Sequence, residues 1–120
     1  MSVSFERMRQ ESPGIFSEAC PSRVVLDHVM SKWGVLVLLA LTDGTRRWGE
    51  LRRSVDGISE KMLATTLRTL AADGIVARTS YPEVPPRVEY SLTPRGVELM
   101  ERMTPLMTWI QANADELVAR

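Results

Sequence analysis

A single cysteine, Cys20, excludes an internal disulfide and fits a reducing compartment. The only histidine, His28, cannot complete a tetrahedral metal site with that one cysteine, so no metal is expected. Aromatic residues are scarce, with three Trp, two Tyr and two Phe, so a core must rest on Leu, Val, Ile and Met. No apolar run approaches the ~18 residues of a membrane span. The best candidate, Val35 to Leu41, reads as a buried helix segment, and no membrane partner is expected. Residues 1–10 carry Glu6, Arg7 and Arg9 and no apolar stretch, so no signal peptide is expected and the cytoplasm is the expected location. The sequence also lacks a clustered acid/base carboxylate pair, a glycine-rich phosphate loop and a Cys/His dyad. It therefore offers no catalytic residue and no cofactor site, and an enzyme is not expected.

A net charge of one sign is missing too, since 15 cations balance 15 anions. The distribution is uneven. Residues 46–95 hold nine basic and six acidic side chains, a net +3, while residues 1–45 carry −1 and residues 96–120 carry −2. The middle of the chain is a mildly basic module between acidic flanks, a bias that decides nothing by itself. With 120 residues, 44% of them hydrophobic, one domain with one core is expected, over residues 20–120 and preceded by an arm at 1–19.

Cys20-Pro21-Ser22 reads as a helix entrance, and Val25, Leu26, Val29 and Met30 recur at helical spacing to about Ser31. His28 within it reads as a core-flanking or surface side chain. Lys32-Trp33-Gly34 interrupts the pattern. A second helix, about Trp33 to Leu41, is apolar on almost every side and stops at Thr42-Asp43-Gly44, which suits a central core helix. Arg46-Arg47-Trp48 fits either a strand or an extended lead-in. Glu50 to Val55 gives a short helix, Asp56-Gly57 a turn, and Ser59 an N-cap for a helix reaching Asp73-Gly74. Two short helices around a tight turn, over about 49–73, make a helix-turn-helix.

At 100° per residue, Leu63, Leu67 and Leu70 of the second helix fall within about 60° of each other. Lys61, Ala64, Thr65 and Arg68 fall opposite, the side-chain types that read base edges from a helix lying in a major groove. Taken alone, such a face belongs more often to an ordinary amphipathic surface helix. The segments downstream shift the balance. Ile75 to Tyr81 and Arg87 to Leu92 read as strands, joined by Pro82-Glu83-Val84-Pro85-Pro86, whose prolines cannot continue a ladder and form a stiff projecting loop. A hairpin over about 75–92, directly after a helix-turn-helix, is a wing. Thr93-Pro94 opens a last helix, about 94–118. Met100, Met103, Met107, Ile110, Ala114 and Leu117 recur there at steps of three and four, a seam suited to packing on a second copy of the chain. Pro105 inside it either kinks the helix or starts a new one. The expected fold class is mostly α with a small β-hairpin, a winged helix-turn-helix with N- and C-terminal dimerisation helices.

These residues resemble the HxlR-type transcriptional regulators, winged-helix proteins near MarR and PadR. The likeness begins at Cys20-Pro21 and runs through Lys32-Trp33, Asp43-Gly44, Arg47-Trp48 and Glu50-Leu51-Arg52-Arg53. It continues in Gly57-Ile58-Ser59-Glu60-Lys61-Met62-Leu63, Leu67-Arg68, Leu70 and Asp73-Gly74, and closes with the block from Tyr81 to Thr93. It covers residues 20 to about 110. Three features depart from the pattern: Met30-Ser31 replaces a common Gly-Gly, Trp48 a usual Phe, and Gly49 a common Asn. The resemblance implies a homodimer that binds an inverted-repeat operator in double-stranded DNA as a repressor or activator. It also implies that some members sense oxidants or electrophiles through a cysteine near the N-terminus, the position of Cys20.

On this reading Lys61, Ala64, Thr65 and Arg68 face bases, with Ser59 offering its hydroxyl or N–H to a phosphate. Arg47, Arg52 and Arg53 hold flanking backbone, and Arg87 serves the wing. Cys20 has two open readings, a redox trigger at a helix entrance or a small residue packed beside Pro21. A small apolar effector bound near the Met seam, Trp33 and Trp109 is an alternative trigger. A winged-helix protein-interaction module that never touches DNA is the rival from another class.

Overall fold

The computed structural model describes residues 4–11, 14, 17 and 20–119. Of the arm expected over 1–19, Phe5–Glu11 forms helix α1, and the positions not named lie outside the described residues. Helix α2, Pro21–Val29, begins at a proline, whose missing N–H costs nothing in a first turn. Helix α3, Lys32–Ala40, is closed at its start by Ser31, whose Oγ accepts the Gly34 N–H at 3.1 Å. The Lys32-Trp33-Gly34 interruption is thus a corner between two helices. A Cβ at Gly34 would run into the His28 carbonyl and the Ser31 hydroxyl. Helix α3 is the central helix, with Val37, Leu38 and Leu41 fully buried.

Strand β1, Arg46–Arg47, settles the open choice for that segment. It pairs antiparallel with β3, Arg87–Leu92, which also pairs with β2, Val76–Tyr81, giving the order β1-β3-β2. Arg47 lies opposite Glu89, and Arg87 opposite Tyr81. Between β1 and β2 run helices α4, Trp48–Ser54, and α5, Glu60–Ala72. Gly57, with φ +84°, makes the turn that brings them together. Leu51 on α4 and Leu63 and Leu70 on α5 are buried against α3 in one core cluster. Each such leucine contributes roughly 1.5–3 kcal/mol, so the helix-turn-helix is anchored mainly through its apolar face.

Helix α6, Pro94–Val118, is capped by Thr93, whose Oγ1 accepts the Gly96 N–H at 3.1 Å and whose hydroxyl donates to the Gly74 carbonyl at 2.6 Å. It continues through Pro105, so Thr104-Pro105 does not start a new helix. The seam expected to face a second subunit divides. Met100 and Met103 are 3% and 6% exposed and belong to the chain's own core, with Met107 packed against it. This corrects their assignment to dimerisation, because α3 and the sheet already occupy that side of the helix. Ile110 and Leu117 are exposed and Ala114 half-buried. At 1.5 Å per residue α6 is about 37 Å long and outruns the core beneath it. The radius of gyration is 16.6 Å, against about 14 Å for a compact chain of this length. Among the described residues no helix is long and apolar enough to cross a membrane.

Candidate nucleic-acid interface

The interface is built on α5. Ser59 fixes its start, its Oγ accepting the Met62 N–H at 3.0 Å. Leu63, Thr66, Leu67 and Leu70 face inward, which leaves Lys61, Thr65 and Arg68 exposed on the opposite side. Neither cation has an ion pair among the described residues. Ala64, expected beside them, is half-buried at the flank of that face. It lines a cleft of about 250 Å³ with Trp48, Leu67, Arg68, Ala71, Arg78 and Tyr90. The exposed face is completed by Ala72, one turn beyond Arg68. The sequence reading missed Ala72 as a face residue, although its helical angle lies between those of Thr65 and Arg68.

The flanking cations differ from one another. Arg53 and Arg47 are exposed and without ion pairs among the described residues, whereas Arg52 Nη1 lies 3.1 Å from Glu60 Oε1. The Arg47 N–H, at the head of α4, donates to Glu50 Oε1 at 3.0 Å. Arg78, also without an ion pair among the described residues, brings a second cation to the cleft beside Arg68; its register opposite Tyr90 places it on the sheet face that meets α5. Arg87 is engaged within the wing, packed on Tyr81 and ion-paired to Glu83 and Glu89. Two of the predicted DNA-facing arginines thus already hold carboxylates. Arg52–Glu60 and Arg87–Glu83 join residues that meet through the folded turn and the proline loop, so spacing alone did not flag them, whereas Arg87 and Glu89 share a strand face at a spacing of two.

Helix α2 reaches the far end of α5. His28 Nδ1 lies 2.6 Å from Asp73 Oδ2 at the C-cap of α5. The same side holds a cavity of about 180 Å³ bordered by Asp27, His28, Ser31, Thr65 and Thr69 among others. Cys20, half-buried, is the N-cap of α2. Hydrogen bonds from the Ser22 hydroxyl first, then from the Ser22 and Arg23 N–H groups, hold its thiol below the ordinary value against a small opposing effect of burial. Trp33 packs against the core, with Lys32 Nζ 4.3 Å from its ring centre, while Trp109 lies exposed on the distal half of α6. Among the described residues no cluster of three or more His, Cys, Asp or Glu side chains is placed to hold a metal.

The comparisons with known proteins agree with this architecture. The HxlR-like helix-turn-helix family model matches residues 28–117. The chain is 50% identical over 117 residues to YtfH of Escherichia coli, described no further than as an HTH-type transcriptional regulator; the match spans 98% of this chain and 92% of that protein. The structure of ytfH from Salmonella typhimurium superposes with a TM-score of 0.81 at 53% identity, covering 86% of this chain and 92% of the other. The redox regulator HypR in its oxidized form gives a TM-score of 0.72 at 40% identity, covering 78% and 97%. With its winged-helix fold and these relatives, the chain belongs to the HxlR-like helix-turn-helix family of transcriptional regulators.

Proposed function

We propose that two copies of this chain bind an inverted-repeat operator and repress transcription, with α5 of each copy in the major groove and the β2–β3 hairpin over the flanking backbone. The observation that carries this reading is the solvent face of α5. Lys61, Thr65 and Arg68 stand exposed on a capped, core-anchored helix, and among the described residues both cations are free of internal ion pairs. Arg47, Arg53 and Arg78 add charge on either side, and the affinity so generated falls steeply as salt rises. The second copy is supported by the distal half of α6, where Leu106, Trp109, Ile110, Leu117 and Val118 are exposed, together with Val24, Val25 and Leu26 of α2. Large apolar side chains left exposed on one helix face support an association face there.

Lys61→Glu and Arg68→Glu test the reading. Each replaces a favourable contact by a repulsion and should weaken operator binding by about 100-fold or more. Sedimentation should still give a folded dimer. Unchanged gel-shift affinity in both variants would remove α5 from the groove, and a monomeric wild type would remove the two-copy arrangement.

The signal enters at Cys20. Its lowered thiol pKa, its place at the head of α2 and the likeness to a redox regulator support this reading. Two Cys20 thiols from paired copies join as a disulfide and pass two protons and two electrons to an oxidant such as diamide. At neutral pH Cys20 should alkylate faster than in the unfolded chain, because more of it is thiolate. That advantage should vanish above the ordinary thiol pKa, where both states are ionised. Absence of crosslink, adduct and any loss of DNA binding after oxidant treatment would end the idea.

A further inference from the structure

Arg87 opens β3, and its guanidinium is occupied from several directions. Its Cζ lies 4.1 Å from the centre of the Tyr81 ring. Nη2 is 3.2 Å from Glu83 Oε1, four residues back on the proline loop. Nε is 3.7 Å from Glu89 Oε2, is buried, and has no hydrogen-bond partner among the described residues. Nε and Nη2 together form the side edge of a guanidinium, the edge that grips two oxygens of one oxyanion in parallel. In Arg87 that edge is half satisfied: Nη2 has a carboxylate, and Nε has no acceptor within hydrogen-bond reach among the described residues.

The cluster borders a groove of about 390 Å³ between the wing and the head of α4, lined by Arg47, Trp48, Gly49 and residues 83–88. Across the groove from Arg87 stands Arg47, exposed and without an ion pair among the described residues. The register places Glu89 directly opposite Arg47 and two residues from Arg87 on β3, so one carboxylate sits between two cations. The groove brings two arginines together, and one of them is held by Glu83, itself a lining residue.

We infer that Glu83 holds the place of a DNA backbone phosphate in the free protein, and that a phosphodiester entering this groove displaces Glu83 and takes the Nε–Nη2 edge of Arg87. The inference rests on the DNA-binding reading above and adds a gate to it. The exchange is favoured because a phosphate brings two unesterified oxygens to an edge on which Glu83 satisfies only one nitrogen. Opening the gate costs little, since a half-exposed Glu–Arg pair contributes little in water. The stack on Tyr81 keeps the guanidinium in position once Glu83 has left. The wing therefore adds affinity only where a backbone runs through the groove, and elsewhere it presents a neutral surface.

Glu83→Gln, measured by fluorescence anisotropy on a labelled mixed-sequence duplex across a salt series, tests the gate. The variant should bind about three- to tenfold tighter than wild type at low salt. Its log affinity should fall more steeply with log salt by up to about one, because the wild type's displaced Glu83 takes up a cation as Arg87 meets the phosphate and the variant has no such carboxylate. The same change made in an Arg87→Gln background should gain less than about twofold, because the cycle isolates the Glu83–Arg87 coupling from the general effect of removing a negative charge. Equal affinity of Glu83→Gln and wild type overturns the inference. So does an equal gain with and without Arg87, which would make Glu83 a general repeller of DNA. A wild type that leaves the duplex unbound at every salt concentration would overturn the DNA-binding reading itself, and the gate with it.

Discussion

Helix α5 and the wing both carry cations, yet they treat them in opposite ways. On α5, Lys61 and Arg68 have no ion pair among the described residues and stand on a helix held by Leu63, Leu67 and Leu70 beneath and by Ser59 at its start. In the wing, Arg87 is stacked on Tyr81 and paired with Glu83 and Glu89, and its side chain is 29% exposed. The first arrangement keeps full charge available on a fixed frame. The second holds its cation beside two carboxylates, and on the gate inferred above it is given up to a phosphate. If both regions meet DNA as proposed, the count of positive charges predicts affinity less well than which cations must first break an internal contact.

The strongest way to break this contrast is to make the helix resemble the wing. Ala72 is exposed four residues beyond Arg68, the same spacing that separates Glu83 from Arg87. Ala72→Glu should give Arg68 an internal carboxylate and set a negative charge against the backbone. We expect operator affinity to fall by about ten- to 100-fold, a loss of roughly 1.4–2.8 kcal/mol. Ala72→Gln, of similar size and uncharged, should stay within about threefold of wild type. A fall of the same depth in both variants, measured by anisotropy, would mean that bulk rather than charge is at issue and that the contrast is not electrostatic.

The two regions also differ in how far the sequence disclosed them. The face of α5 follows from a 3.6-residue period, so Leu63, Leu67 and Leu70 are recognisable as its buried side without any tertiary knowledge, and Ser59 is recognisable as its cap. The projecting loop follows from Pro82, Pro85 and Pro86. Glu89 follows as a neighbour of Arg87 from the two-residue period of a strand, but Glu83 does not, because that pairing closes across a loop whose path the sequence leaves open. Helix α6 teaches the same limit in another form. Its apolar spacing is genuine, but a period states that a face is covered and not what covers it. Met100 and Met103 meet their own core, while Ile110 and Leu117 are left bare. The sequence places His28 at the flank of the core or on the surface, but its contact with Asp73, 45 positions away, depends on how α2 crosses α5.

A finer version of the contrast lies within α4, where the neighbours Arg52 and Arg53 share a charge and differ in what holds them. Arg52 is 3.1 Å from Glu60, which sits in the first turn of α5, while Arg53 has no ion pair among the described residues. If internal pairing sets availability, Arg53→Gln should weaken DNA binding by about three- to fivefold and lower the salt slope by about one. Arg52→Gln should cost less, about twofold, since Arg52 must leave Glu60 before it can meet a phosphate and so adds little direct contact, although the freed Glu60 leaves that corner one charge more negative. The ranking is informative because simple net-charge arguments give the two variants equal effects. Equal losses in a salt-series titration would show that Arg52 leaves Glu60 on DNA as readily as Arg53 engages it. The contrast between free and stored cations would then hold only for the wing, where stacking on Tyr81 and a second carboxylate add to the single ion pair that Arg52 makes.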